Sequence, residues 1–114
     1  MGVLTSIFIL NSNLADLCNI TTVSIVTGVN VIRFGRLRIM TVTNASSING
    51  KIGVLQSNDY PDVNTRQPMS YNLPTRSLGT LGVNVNGDII AYSTSGEDLT
   101  TTASINGLMV WTAK

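Results

Sequence analysis

Val83-Asn84-Val85-Asn86-Gly87-Asp88-Ile89-Ile90 is the stretch on which the fold turns: β-branched residues alternate with polar ones, stop at Asn-Gly, and resume. Asn and Gly accept the positive φ values that a two-residue type I′ turn imposes, and that turn matches the twist of paired strands. A two-residue turn here sets Val85 opposite Asp88 and Val83 opposite Ile90, with Tyr92 on the same side as Val83 and Ile90. Two further Asn-Gly pairs, Asn49-Gly50 and Asn106-Gly107, lie between similar segments. With Asn106-Gly107 as a turn, Ala103 pairs with Val110 and Thr102 with Trp111, which puts Trp111 beside Thr102, Ser104 and Met109.

Outward from these turns, strands are predicted over Val3-Leu10, Thr22-Thr27, Asn30-Phe34, Arg36-Val42, Lys51-Gln56, Met69-Leu73, Leu78-Val85, Asp88-Thr94, Thr101-Ile105 and Leu108-Thr112. Gly28 and Gly35 mark a turn and a bulge between them. Helical pattern is confined to Asn11-Asn19, a turn or two at most. The chain is therefore all-β, a jelly-roll-like β-sandwich or small β-barrel with several hairpins. Its 114 residues make one compact domain, with an N-terminal strand or neck over residues 1–20 and the main body over 21–114.

Composition narrows the function. Hydrophobic residues make up 43% and charged ones only 11%, so Ser, Thr and Asn meet the solvent. Few charges guard the strand edges, and a homo-oligomer would cover them. A net charge of +1 lacks the basic stripe of a nucleic-acid binder. Val3-Leu10 is too short to span a bilayer, so no membrane insertion is expected. Met1-Gly2-Val3-Leu4-Thr5-Ser6 matches a myristoylation pattern by coincidence. Cys18 is the single cysteine, which excludes an intrachain disulfide and reads as a packed thiol. With no histidine, Ser-His-Asp and Cys-His catalysis are impossible, and no phosphate-cradling glycine loop occurs. Asp59, Asp62 and Asn64 fit no established calcium loop. No enzyme, cofactor or metal is expected.

Saccharide recognition asks for an aromatic face against a pyranose ring and polar groups for its hydroxyls. The polar stretch from Ser57 to Pro68 offers Tyr60 as the stacking face, with Asp59, Asp62 and Arg66 as partners. Trp111 and Tyr92 are further candidates, each also readable as a packing residue. Arg33, Arg36 and Arg38 cluster around Gly35; alternation puts Arg36 and Arg38 on one side, as a solvated face or as phosphate contacts.

Thr27-Gly28-Val29-Asn30-Val31, Ile52-Gly53-Val54-Leu55, Asp59-Tyr60-Pro61-Asp62, Leu81 to Ile90 and Ile105 to Trp111 follow one another in an order that resembles the C-terminal head domains of phage receptor-binding and tail-fibre proteins, most like those of siphophages of lactic acid bacteria. The resemblance covers about four-fifths of the chain, in order and turn chemistry rather than identities. It implies a viral protein of the virion, at the tail tip or fibre: a homotrimeric β-barrel head at residues 21–114 that adheres to a host cell-surface saccharide and meets other tail or baseplate proteins. Some lactococcal members hold the saccharide with a His-x-Asp pair and a Trp; this chain has Thr80-Leu81-Gly82 and Tyr92 there, so its contacts differ. Alternative expectations are a structural virion module without ligand (baseplate, fibre junction or capsid decoration) and a carbohydrate-binding module of a cell-wall hydrolase.

Overall fold

A computed structural model describes residues 20–72, 75–99 and 104–114. The predicted elements Val3-Leu10 and Asn11-Asn19, with Cys18, lie outside the described residues, as do Leu73, Thr101, Thr102 and Ala103. Among the described residues there are eight strands: β1 (Ile20–Val26), β2 (Val29–Phe34), β3 (Leu37–Ala45), β4 (Lys51–Val54), β5 (Thr65–Asn72), β6 (Arg76–Val83), β7 (Asp88–Tyr92) and β8 (Ser104–Thr112). All pairings are antiparallel, in the order β1-β2-β3-β8-β5-β6-β7-β4. Two meanders, β1-β2-β3 and β5-β6-β7, are thus joined by β8.

The two ends of the sheet come together, giving a nearly closed barrel. A Cβ on Gly53 of β4 would stand 3.4 Å from Val26 Cγ1 and 3.5 Å from Ile25 Cγ2 of β1. Alternation supplies the interior: Val29, Val31, Met40, Val42, Met69, Tyr71, Leu81, Val83, Ile89, Ala91, Ile105, Met109 and Trp111 are all buried.

Each Asn-Gly pair has its own outcome. Asn49-Gly50 forms the two-residue turn, with φ of 53° and 83°. Ile48 and Lys51 exchange backbone hydrogen bonds of 2.9 and 3.1 Å across it.

The Asn86-Gly87 hairpin exists, but its loop is one residue longer than the sequence reading has it. Only Gly87 is left-handed, at φ 89°. Its N–H donates to Asn84 O at 2.9 Å, and Asn84 N–H donates to Asp88 O at 3.0 Å. Val83 therefore pairs with Ile89, Gly82 with Ile90 and Thr80 with Tyr92, correcting the expected Val83–Ile90 and Val85–Asp88 pairs. A one-residue change of register exchanges the faces. Ile89 and Ala91 go inward beside Val83 and Leu81, and Ile90 and Tyr92 go outward. This register buries an isoleucine and a small alanine and leaves the phenol on the wetter side.

Asn106-Gly107 is no turn at all. Gly107 lies within β8, paired with Val42 on one side and Met69 on the other. A Cβ there would be 2.9 Å from Met69 Cβ and 3.4 Å from Leu81 Cδ2. The glycine answers to close approach of neighbouring strands. The expected hairpin of Thr101-Ile105 and Leu108-Thr112 is thus one continuous strand in its described part, and Trp111 faces Arg38 as cross-strand partner. Replacing Gly107 with valine is expected to cost about 1–3 kcal/mol through overpacking, measurable as a lowered denaturation midpoint.

Gly28 (φ 84°) and Gly35 (φ 57°) both serve turns, and the bulge falls between Ser24 and Val26 instead. The irregular stretch ends sooner than Pro68, because β5 starts at Thr65. Pairing of β5 with β8 begins at Met69, just past the proline that has no N–H to give.

Candidate functional site

A two-residue turn at Gly35-Arg36 brings Arg33 of β2 directly opposite Arg38 of β3. Both guanidiniums converge on Asp59, at the end of a short 3₁₀ turn, Ser57–Asp59. Arg33 Nε and Nη2 donate to Asp59 Oδ1 and Oδ2 at 2.7 and 2.6 Å, and Arg38 Nε donates to Oδ1 at 2.6 Å. The Asp59 side chain is 0% exposed, against 20% for Arg33 and 8% for Arg38. Arg38 also reaches Gly35 O at 2.6 Å and Asn58 O at 3.1 Å. Arg33 Nη2 reaches Gln56 Oε1 and Asn58 Oδ1 at 2.9 and 3.2 Å. From β8, Trp111 Nε1 donates to Asp59 O at 2.7 Å.

Burial by itself would push the Asp59 carboxyl up; the hydrogen bonds and charges of Arg33 and Arg38 outweigh it and hold the group below its ordinary value. Two saccharide candidates, Asp59 and Trp111, are thereby turned inward, with their polar atoms committed to the protein. Arg38 leaves the solvated face expected for it. Arg36 alone stays outside, donating to Ala113 O at 3.0 and 2.8 Å and standing 3.7 Å from Asp62.

Tyr60 follows directly. It is half-buried and packs on the core, and its ring occupies the space that a side chain at Gly87 would need. Its carbonyl accepts from Lys114 N–H at 3.0 Å, and Pro61 bridges to Ala113. The stretch that suggested a stacking platform is therefore held down by its own aromatic residue. Of the four residues proposed within it, Asp62 and Arg66 are exposed.

Arg66 and Tyr92, which the sequence treats separately, are brought together on the outer face of β5-β6-β7. Gly82 lies between them, paired with Arg66 across one ladder and Ile90 across the other. A Cβ on Gly82 would be 3.1 Å from Tyr92 Cε2 and 3.6 Å from Arg66 Cγ. The missing side chain makes room for both. Arg66 Cζ stands 4.5 Å from the Tyr92 ring centroid, and Nη2 donates to Tyr92 Oη at 3.3 Å. Among the described residues the ion pairs use Asp59, Asp62 and Asp88, and none of them involves Arg66.

No known protein family and no curated protein matches this chain. Among the described residues no three of His, Cys, Asp and Glu stand close enough to share a metal ion.

Chemically, the pair presents a charged planar donor that is pre-positioned and exposed. Stacking on tyrosine restricts the guanidinium's rotamers, so less entropy is lost when its N–H fork engages oxygens. Thr80, opposite Tyr92 on one side and Pro68 on the other, adds a neutral polar group beside it. The sequence carried one signal for the pairing, Gly82 inside a strand, which marks a close approach.

Proposed function

We propose that this protein is a phage receptor-binding head, acting at a tail tip or fibre, that attaches to a saccharide on the surface of its bacterial host. The observation that carries the reading is the exposed Arg66 guanidinium held over Tyr92 with no acidic partner among the described residues. Vicinal hydroxyls or an acidic substituent of a sugar match the spacing of its N–H fork. The nearly closed β-barrel and the order of motifs along the chain support the same reading. Binding alone is the proposed activity, without catalysis, cofactor or nucleic acid.

The head is proposed to work as a homotrimer. Ile32, Ile39 and Val110 line up across β2, β3 and β8 on the outward face, flanked by Phe34, Leu37 and Leu108. The outward positions of these strands hold Asn30, Thr41, Thr43, Ser104, Asn106 and Thr112 besides, and no charged residue. Three copies of this face converge on a threefold axis without stranding a charge, which favours self-association as a trimer. Val110→Asp is expected to release monomers in sedimentation equilibrium while the circular dichroism spectrum stays that of a β protein. A wild-type species of 12.2 kDa at micromolar concentration would contradict the trimer.

This apolar row also favours a second reading, a structural virion module without ligand. A glycan array separates the two. Binding by wild type, weakened by about 1–3 kcal/mol in Arg66→Ala, supports the receptor-binding head. Absence of any glycan binding by a correctly assembled protein supports the structural module.

A further inference from the structure

Asn-Gly pairs carry a chemistry of their own, because the glycine nitrogen can attack the asparagine side chain without steric hindrance from a Cβ. The three pairs stand in different environments. Asn106 is within β8; its Oδ1 accepts from Asn44 N–H at 3.0 Å, and Gly107 is paired on both sides. Asn86 is exposed, but Gly87 N–H is committed to Asn84 O at 2.9 Å. The Asn86 amide is held as well: Oδ1 accepts from Asp88 N–H, and Nδ2 donates to Asp88 Oδ2, both at 3.3 Å. Asn49 is exposed, its side chain has no hydrogen bond among the described residues, and Gly50 N–H has no acceptor among them.

We propose that Asn49 is a site of spontaneous modification, converted to aspartate and isoaspartate ahead of the other two pairs. Gly50 N gives its proton to water or hydroxide and forms a bond to Asn49 Cγ. The Cγ–Nδ2 bond then breaks and ammonia leaves, closing a five-membered succinimide. Water adds to either ring carbonyl and opens it, so the net change is one water taken up and one ammonia lost, with no oxidation or reduction. At Asn86 the same attack must first break the bond to Asn84 O, and at Asn106 it must wait for local opening of a strand paired on both sides.

The conversion has structural consequences. It takes the formal net charge of the chain from +1 to zero. The new carboxylate arises next to Gly50, which packs against Asp98. The isoaspartyl form also lengthens the backbone between Ile48 and Lys51, whose two mutual hydrogen bonds define the turn.

The test is incubation of the intact protein at mildly alkaline pH, with peptide mapping by mass spectrometry over time and a parallel sample in denaturant. In the folded protein Asn49 is expected to convert several-fold faster than Asn86, with Asn106 unreacted. In denaturant the three rates should converge, because the differences come from structure. Asn49→Gly, which keeps the left-handed turn, is expected to abolish the first acidic isoform on isoelectric focusing. Conversion of Asn86 or Asn106 ahead of Asn49 in the folded protein, or equal folded rates at all three, overturns the proposal.

Discussion

Asp59→Ala is expected to lower the stability of the folded chain by about 3–5 kcal/mol, the range found when one partner of a buried ion pair is removed. The mechanism is specific. Arg38, 8% exposed, would be left with a charge and no carboxylate, and Arg33 would lose both of its carboxylate bonds. Chemical denaturation should show the loss directly. Asp59→Asn is expected to cost less, since the amide oxygen still accepts one of these bonds. The same cluster sets an acid limit. Because the Asp59 carboxyl titrates lower in the folded than in the unfolded chain, its contribution is complete above the unfolded value and is lost as pH falls through the folded one. Stability of the wild type should therefore drop on acidification more steeply than that of Asp59→Asn.

The second large effect is expected at Trp111. Its indole is 5% exposed within the core, and Nε1 ties β8 to the 3₁₀ turn through Asp59 O. Truncation to alanine should cost about 3–5 kcal/mol by leaving a cavity, and the freed Asp59 carbonyl adds to it. Trp111→Phe keeps most of the apolar volume and isolates the hydrogen bond, so about 1–3 kcal/mol is expected for the unsatisfied buried acceptor. A saccharide-contacting Trp111 would give the opposite pattern: normal stability and lost binding. The indole's inward position makes stability the property that moves.

How far these features were legible in the sequence depends on which interactions are local. The Asn49-Gly50 turn was readable because nothing beyond two residues with positive φ decides it. The Asn86-Gly87 loop was readable as a hairpin, but its length was settled by whether Ile89 or Ile90 enters the barrel, a tertiary choice. Asn106-Gly107 carries the same dipeptide and is strand, because Met69 passes too close for any Cβ at position 107. Turn chemistry gives necessary conditions here, and close packing overrides it.

For the site, the contrast lies between Asp59 and Arg66. A cluster within ten residues of chain made Tyr60, Asp59, Asp62 and Arg66 look like one surface. In the folded chain Asp59 is drawn inward by two arginines more than twenty residues away in sequence, and Tyr60 is laid over Gly87. One clue was available: counting outward from a two-residue turn at Gly35-Arg36 pairs Arg33 with Arg38, and two facing guanidiniums call for a shared carboxylate. The partnership of Arg66 with Tyr92 depends on the β6–β7 register, which the expected two-residue turn reversed.

Saccharide recognition is assigned to the outer face of β5-β6-β7, and amide chemical-shift mapping reads that face residue by residue. On titration with a host cell-wall saccharide, shifts should concentrate at Arg66, Thr80, Gly82 and Tyr92, should saturate, and should vanish in Tyr92→Ala while its fold is retained. Saturable shifts centred instead on Asp62 and Arg36, or undiminished shifts in a folded Tyr92→Ala protein, would contradict it.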